Sequence, residues 1–261
     1  MSDRVDLTVI APMYNEAENV AGTVSAVEEA LAGFPGSWEL IVVDDGSTDE
    51  SRARAEALRN EEPHLRVLGY TPNAGRGRAL RTGFEAARGD VIVTIDFDLS
   101  YEPGHILRLH EALAAADPPD IVLVSAYMPG GSTQGVPAKR LLASKAGNWL
   151  LRLAWPHRIY TSTCIVRGYR RAALEVLELT QDRKEIHLEI LGQAFDRGLR
   201  VAEIPGHLRA RARGASKARL GRAVTSHLAF LARRRPVLAA LAVAAAALVG
   251  VGLAIALAWL L

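Results

Sequence analysis

Asp96-Phe97-Asp98 follows the apolar run Val91-Ile92-Val93-Thr94-Ile95. In an extended chain alternate side chains share a side, so the two carboxylates point together past the aromatic ring. Carboxylates that close repel each other and need a cation, a shared proton or strong hydrogen bonds. A hard divalent ion that keeps some water and takes its other oxygens from a diphosphate meets that need. Asp-x-Asp also arises by chance at strand ends and helix caps, so the neighbouring motifs must decide between the two readings.

Three further motifs carry candidate chemistry. Pro12-Met-Tyr14-Asn15-Glu16 follows the first apolar run. There Pro12 is expected to end the strand ladder, Tyr14 offers a flat face to a base, and Glu16 accepts from base or ribose donors. A plain turn with Asn15 as helix N-cap is the alternative. Asp44-Asp45-Gly46-Ser47-Thr48-Asp49 follows the second run. Its acids suit a base and a ribose hydroxyl, with Ser47 or Thr48 capping the next helix. Asn73-Ala-Gly75-Arg76-Gly77 has the composition of a phosphate-cradling loop. It matches neither Gly-x-Gly-x-x-Gly nor Gly-x-x-x-x-Gly-Lys-Ser/Thr, which argues against a dinucleotide oxidoreductase or a P-loop NTPase.

The elements that position these motifs read as an α/β unit. Leu7–Ala11, Leu40–Val43, Leu65–Gly69, Val91–Ile95 and Ile121–Val124 are β-branched runs, apolar on both faces as a covered parallel sheet requires. Helices are expected over Glu16–Leu31, Asp49–Asn60, Gly77–Ala87 and Pro103–Ala115. Pro12, Asp44-Asp45 and Asp96/Asp98 then all lie at the carboxyl ends of strands, where open α/β sheets bind ligands. Pro129–Gly135 reads as a loop. Lys139–Trp155 reads as an amphipathic helix that either packs on the sheet or lies at a membrane surface. Glu185–Arg197 is expected to be helical, Leu199–Ile204 a strand and Gly206–Lys217 a basic loop.

The 261 residues carry a net charge of +2, but no acid follows Glu203, while Arg209, Arg211, Arg213, Lys217, Arg219, Arg222 and Arg233-Arg234-Arg235 do. Cys164 is the single cysteine, so no intramolecular disulfide forms. The residues after Met1 lack the pattern of a secretory signal. Val237–Leu261 holds no charge. As a helix it would be roughly 37 Å long, against a hydrocarbon core of about 30 Å. With the arginines before it, the expectation is a C-terminal membrane span with the preceding domain on the cytoplasmic side. A buried core helix is the alternative. The basic stretch suits nucleic-acid phosphates or anionic lipid headgroups, and the adjoining apolar run favours lipid over nucleic acid.

Taken in order, Pro-x-Tyr-Asn-Glu, Val-Asp-Asp-Gly-Ser, Asn-x-Gly-x-Gly and Asp-x-Asp resemble the family 2 glycosyltransferases. The resemblance runs from Leu7 to Lys217. More narrowly it is to the dolichol- or polyprenol-phosphate mannose synthases, through five further segments. These are Asp96-Phe-Asp98-Leu-Ser100, Tyr127-Met-Pro-Gly130-Gly131, Arg140-x-x-x-Ser144-x-x-x-Asn148, Ile186-His-Leu-Glu189-Ile and Arg211-Ala-Arg213-Gly214-Ala-Ser216-Lys217. The resemblance implies a GT-A fold, a mostly parallel Rossmann-like α/β sheet, in residues 1–217. A basic connecting helix over 218–235 and a membrane anchor over 236–261 complete the expected organisation.

It also implies roles. Pro12, Tyr14, Glu16, Val43, Asp45, Asp96, Phe97, Asp98, Arg211 and Lys217 would hold the nucleotide sugar. Asp96, Asp98 and Ser100 would organise Mg²⁺ or Mn²⁺, and Arg140 and Ser144 would take the acceptor phosphate. Asp96, Asp98, Arg211 and Lys217 would carry the catalysis, since charge grows on the diphosphate as the glycosidic bond breaks. The implied donor is GDP-mannose, with UDP-glucose as the alternative, and the implied acceptor is a polyprenyl phosphate in membrane lipid. Two positions depart from the pattern. Ala126 stands where family members carry Arg, and Thr161 where they carry Asp. Both fall on the acceptor half, so another phosphorylated acceptor or a hydroxyl acceptor stays open. A hydroxyl would need a base, with Glu189 and Asp182 the first candidates. A family 2 transferase with a glycan or another lipid as acceptor, and a non-catalytic sugar-nucleotide sensor or membrane scaffold, are the competing functions. His187 and Cys164 are expected to be packed core residues.

Overall fold

The computed structural model describes residues 4–152 and 159–210, with the single residues 230, 232 and 236. All five apolar runs of the first half become strands: β1 (Val5–Met13), β2 (Trp38–Asp44), β3 (Leu65–Gly69), β4 (Gly89–Thr94) and β5 (Ile121–Ser125). The crossovers between them are α1 (Val20–Leu31), α2 (Ser51–Leu58), α3 (Arg76–Ala86) and α4 (His105–Leu113). Then follow β6 (Ser132–Gln134), α5 (Ala138–Arg152), β7 (Arg167–Arg170), α6 (Arg171–Glu175), α7 (Ile186–Asp196), β8 (Val201–Pro205) and β9 (His207–Arg209). The main sheet runs β3-β2-β1-β4-β7-β5-β8. Only β7 is antiparallel to its neighbours. β1 pairs with β2 on one side and β4 on the other. The strand order therefore reverses between β1 and β4, the switch point at which α/β sheets open a crevice. The motifs at Pro12 and Asp96 flank that point.

Leu7, Ile10, Leu40, Ile41, Ile92 and Leu123 are buried between the helical layers. The strands are not purely apolar, however. Glu39 in β2 is 1% exposed, and its carboxylate accepts from Thr8 Oγ1 at 2.8 Å, Arg66 at 2.6 Å and Arg88 Nε at 3.0 Å. Burial raises the pKa of this carboxyl, but the donors from Arg66, Thr8 and Arg88 outweigh it and hold the group below 4.5. This ion cluster fastens the amino ends of the strands, leaving the carboxyl ends for the site.

Several boundaries differ from expectation for local reasons. Pro12 lies inside the ladder, opposite Val43, rather than ending it. The Ile95 N–H reaches the Ile10 carbonyl, so even-numbered residues of β1 face β4. The β1–β4 ladder stops at Ile10 and Thr94, so the N–H that proline lacks would have had no strand partner there. α1 begins at Val20 rather than Glu16, because residues 15–17 bond sideways to the loop after β2. The segment read as a loop over 129–135 contains β6, which pairs in parallel with β9.

β7 is invisible as an apolar run because its sequence is Arg-Gly-Tyr-Arg. Arg167 is fully buried, its guanidinium donating to the carbonyls of Cys164, Ser162 and His187 at 2.6, 2.7 and 3.2 Å. Gly168 lets α4 approach, since a Cβ there would sit 2.6 Å from Leu113 Cδ1. The expected anchor over Val237–Leu261 and all but single residues of the expected connecting helix fall outside the described residues. Among the described residues no helix is long and apolar enough to cross a membrane.

Candidate active site

Four loops at the carboxyl ends of β1, β2, β3 and β4 are bonded to one another. Asn15 adopts a left-handed backbone, φ 52°, which asparagine tolerates better than most residues. Its N–H donates to Ser47 Oγ at 2.9 Å, and its Oδ1 accepts from the Thr48 N–H at 2.8 Å. Asn15 is therefore a tie between loops, not a helix cap. Ser47 and Thr48 are spent on the same tie, and it is Asp49 that accepts from the N–H of Ser51 at the start of α2, at 3.0 Å. Tyr14 and Glu16 flank Asn15 and are partly exposed, with Glu16 accepting from Asn19 Nδ2 at 2.6 Å.

Asp45 forms the second tie. Its buried carboxylate accepts from the Tyr70 hydroxyl at 2.8 Å, Asn73 Nδ2 at 2.8 Å and the N–H groups of Ala74 and Gly75 at 2.9 Å each. Burial and the Asp45 charge keep the Tyr70 phenol protonated. Gly46, at φ 69°, lies where a Cβ would come within 2.5 Å of the Asn73 nitrogen, so the two loops meet backbone to backbone. The loop Asn73–Gly77 is thus not an open phosphate cradle. Asp45 takes the N–H groups of Ala74 and Gly75, and the Asp182 carbonyl takes that of Arg78 at 3.1 Å. Val43 is fully buried within the ladder, so its side chain shapes the floor rather than lining the crevice.

The aspartate motif lies just past β4, in a turn closed by the Leu99 N–H on the Asp96 carbonyl at 3.2 Å. Leu99 takes φ 49°. A turn, not a continued strand, therefore sets the carboxylates. Asp98 Oδ1 accepts from the Ser100 N–H at 3.0 Å and the Ser100 hydroxyl at 2.6 Å, so Ser100 orients the carboxylate. Phe97 is 4% exposed and packs in the core, and its carbonyl accepts from Thr23 of α1 at 2.6 Å. The ring anchors the turn from below. Arg76 Nη2, at the first residue of α3, lies 3.5 Å from Asp96 Oδ1. A carboxylate and a guanidinium thus meet at the switch point, with Asp98 in the same turn.

The chain after β5 and α5 carry the second group. The Tyr127 hydroxyl donates to Ser144 Oγ at 2.8 Å, and Lys145 Nζ lies 5.8 Å from the centre of the Tyr127 ring. Asn148 Nδ2 donates to the Ser144 carbonyl at 2.9 Å, while its Oδ1 takes the Ser162 N–H at 2.7 Å. Arg140 is exposed one turn before Ser144. Ala126 is buried beside Ser125, whose hydroxyl lies 2.6 Å from that of Thr161. Beneath them Glu203 of β8 accepts from the N–H groups of Tyr160 and Thr161 at 2.7 and 2.8 Å. Burial pushes this carboxyl above its ordinary range despite those donors.

Residues 8–177 match the family described as Glycosyl transferase family 2. The chain belongs to that family. A relative, the dolichol-phosphate mannosyltransferase of Pyrococcus furiosus, is 34% identical over 230 residues, covering 87% of this chain and 63% of that protein. The polyprenol monophosphomannose synthase of Mycolicibacterium smegmatis is 35% identical over 216 residues, covering 80% of this chain and 79% of that one. The chain thus spans less than two thirds of the Pyrococcus protein. Among solved structures, glucosyl-3-phosphoglycerate synthase from Mycobacterium tuberculosis, in complex with Mn²⁺, UDP and phosphoglyceric acid, superposes with a TM-score of 0.68 at 23% identity. The superposition covers 88% of this chain and 78% of that one, and it shows a shared GT-A-like fold.

For this family 2 chain the structure sorts the expected site residues. Pro12, Tyr14, Glu16, Asp45, Asp96 and Asp98 gather around one end of the sheet, and Arg140 and Ser144 stand on α5. Arg211 and Lys217 lie outside the described residues. The described chain reaches Ala210 with the Arg209 N–H on the Ser100 carbonyl at 2.8 Å, beside the aspartate turn. Neither base candidate is poised for proton abstraction. Glu189 accepts from Thr180 and Gln181, and Asp182 pairs with Arg81. His187 is buried, and burial together with the Arg167, Arg76 and Lys184 charges holds its pKa well below the usual 6.5. Burial and the nearby Asp96 push the Cys164 thiol up to about 12, so both residues are inert packing. Two residues escaped the sequence reading. Arg76 was visible within Asn-x-Gly-x-Gly as a cation opening a helix. Glu203 gave no signal, because its partners come from a distant loop.

Proposed function

We propose that this protein is a metal-dependent inverting glycosyltransferase. It moves a hexose, mannose in preference, from a nucleotide-diphosphate sugar to a polyprenyl phosphate at the cytoplasmic face of a membrane. The observation that carries the reading is the contact of Arg76 with Asp96 at the switch point, in the same turn in which Ser100 orients Asp98. The names of the Pyrococcus and Mycolicibacterium relatives support the same acceptor and sugar.

The donor set fits a hard divalent cation. Among the described residues no group of three or more His, Cys, Asp and Glu converges, so the chain offers two carboxylates and leaves the other positions to water and diphosphate oxygens, as Mg²⁺ prefers. The related structure holding Mn²⁺ and UDP supports this. Asp98, oriented by Ser100, and Asp96 would hold the ion, which when bound offsets charge on the leaving diphosphate. Arg76 contributes a fixed positive charge beside Asp96. Arg211 and Lys217 follow Ala210 in sequence and would approach the diphosphate from the other side.

In the transfer, an acceptor phosphate oxygen forms a bond to the anomeric carbon as the bond to the diphosphate breaks. Attack from the face opposite the leaving group inverts the configuration, and the nucleoside diphosphate leaves with the electron pair. A phosphate monoester is mostly dianionic near neutral pH, with its second pKa at about 6, so it needs no general base. That matches the engagement of Glu189 and Asp182. Arg140 and Ser144 would steer the phosphate through charge-assisted bonds. Leu142 and Trp149, seven residues apart on α5, are 72% and 63% exposed, an apolar stripe suited to the membrane boundary where a polyprenyl chain resides.

The test incubates purified full chain in detergent with Mg²⁺ or Mn²⁺, labelled GDP- and UDP-sugars and a polyprenyl phosphate. Label entering the lipid, and lost with Asp98→Ala, is the expected result. Transfer only to water or to a glycan would overturn it, and nucleotide binding without turnover on any acceptor would make the protein a sensor.

A further inference from the structure

Glu189 stands on α7, away from the aspartate turn, yet its carboxylate is wholly committed. Oε1 accepts from the Thr180 N–H at 3.0 Å and its hydroxyl at 2.6 Å, and Oε2 accepts from the Gln181 N–H at 3.0 Å. One turn along α7, Gln193 exchanges two bonds with the backbone of Glu178, at 2.8 and 2.6 Å. The face of α7 thus clamps residues 178–181 in place.

That segment is pressed against the first turn of α3. A Cβ at Gly77 would lie 2.3 Å from the Gln181 carbonyl oxygen and 2.6 Å from that of Arg183, and one at Gly75 would lie 2.6 Å from that of Asp182. The Arg78 N–H donates to the Asp182 carbonyl, and Arg81 binds both the Leu179 carbonyl and the Asp182 carboxylate. Asp45 grips the same turn from the opposite side through Ala74 and Gly75. The residue presented between the two grips is Arg76, which meets Asp96. A contiguous path therefore runs from Glu189 through the 178–183 segment and the start of α3 to the aspartate turn.

We infer that Glu189 is a positioning residue for the donor diphosphate: it fixes the 178–183 segment as a collar that seats the start of α3 and holds Arg76 beside Asp96. The inference rests on the donor reading proposed above. It assigns the glutamate a role in donor binding in place of proton transfer to an acceptor. Glutamine at 189 keeps an oxygen for Thr180 but turns an NH₂ group towards the Gln181 N–H. Gly77→Ala displaces the collar without touching Glu189, so the idea remains testable should Glu189→Gln fold poorly.

Calorimetric titration of GDP and UDP with Mn²⁺ into the full chain tests this, together with separate KM values for donor and acceptor. Glu189→Gln and Gly77→Ala are each expected to weaken nucleoside-diphosphate binding and raise the donor KM about tenfold, the scale of one charge-assisted contact. The acceptor KM should stay unchanged. Adding Arg76→Ala to Glu189→Gln should bring no further loss, because both act through one contact. Diphosphate affinity like wild type in both variants would overturn the inference, whether or not turnover falls. So would equal losses for donor and acceptor, or full additivity with Arg76→Ala. If wild type binds neither diphosphate, the donor reading itself fails and this inference falls with it.

Discussion

The two walls of the crevice are built differently. On the proposed donor wall, polar groups cross-link the loops after β1, β2 and β3, Asn15 to Ser47 and Thr48 and Asp45 to Asn73–Gly75, and Arg76 joins them to the turn after β4 at Asp96. On the proposed acceptor wall, hydroxyl pairs bridge the elements, Ser125 to Thr161 and Tyr127 to Ser144, and α5 turns apolar side chains outward. The difference fits what each wall would bind. A nucleoside diphosphate is polar, compact and rigidly ionic, so preorganised charge serves it. An acceptor reached from a membrane surface leaves room for variation, and the departures at Ala126 and Thr161 both fall there.

The largest effect expected from breaking this contrast is catalytic. Asp98→Ala should lower kcat by about 10³-fold with little change in melting temperature, since transition-state charge loses its support while the turn keeps its anchor at Phe97. Initial rates and a thermal melt on the same sample check it. Next, Asp45→Ala should destabilise the fold by on the order of 3 kcal/mol, because it orphans the N–H groups of Ala74 and Gly75. On the acceptor wall Ser125→Ala should cost only about 1 kcal/mol. Urea denaturation of both variants compares the walls directly, and equal losses would erase the contrast. Arg140→Ala should raise the acceptor KM roughly tenfold, the scale of one hydrogen bond to a charged group, and leave the donor KM alone.

The smallest effect concerns acid. Glu39 has its pKa depressed below 4.5 in the fold. Its stabilisation is therefore complete above the unfolded pKa and lost as pH falls through the folded one. Below pH 4.5 the wild-type stability should decline with a component that Glu39→Gln lacks, measured by denaturation at successive pH values.

Much of this was legible in the sequence, for physical reasons that differ between elements. β1, β2, β4 and β5 showed as β-branched runs because both faces are covered, while β3 lies at the sheet edge and is only partly buried. The strand order placed Pro12, Asp45 and Asp96 at one end of the sheet. β7 stayed hidden because Arg167 is satisfied only by carbonyls of Ser162, Cys164 and His187, contacts that no local pattern records. The composition of Asp44–Asp49 marked a site, but the partners of Asp45 lie 25 to 30 residues on, so its role as a tie could not be read locally. Glu189 stood out by resemblance, and only the fold shows that it holds a loop.

The central claim is that the acceptor brings its own ionised nucleophile to a preformed donor site. Initial rates with a polyprenyl phosphate and with the matching polyprenol, at fixed donor and Mn²⁺ across pH, test it most directly. The account predicts transfer to the phosphate alone, with a rate that follows the second ionisation of that phosphate at about pH 6. Comparable transfer to the free alcohol, governed by a protein carboxylate, would contradict it.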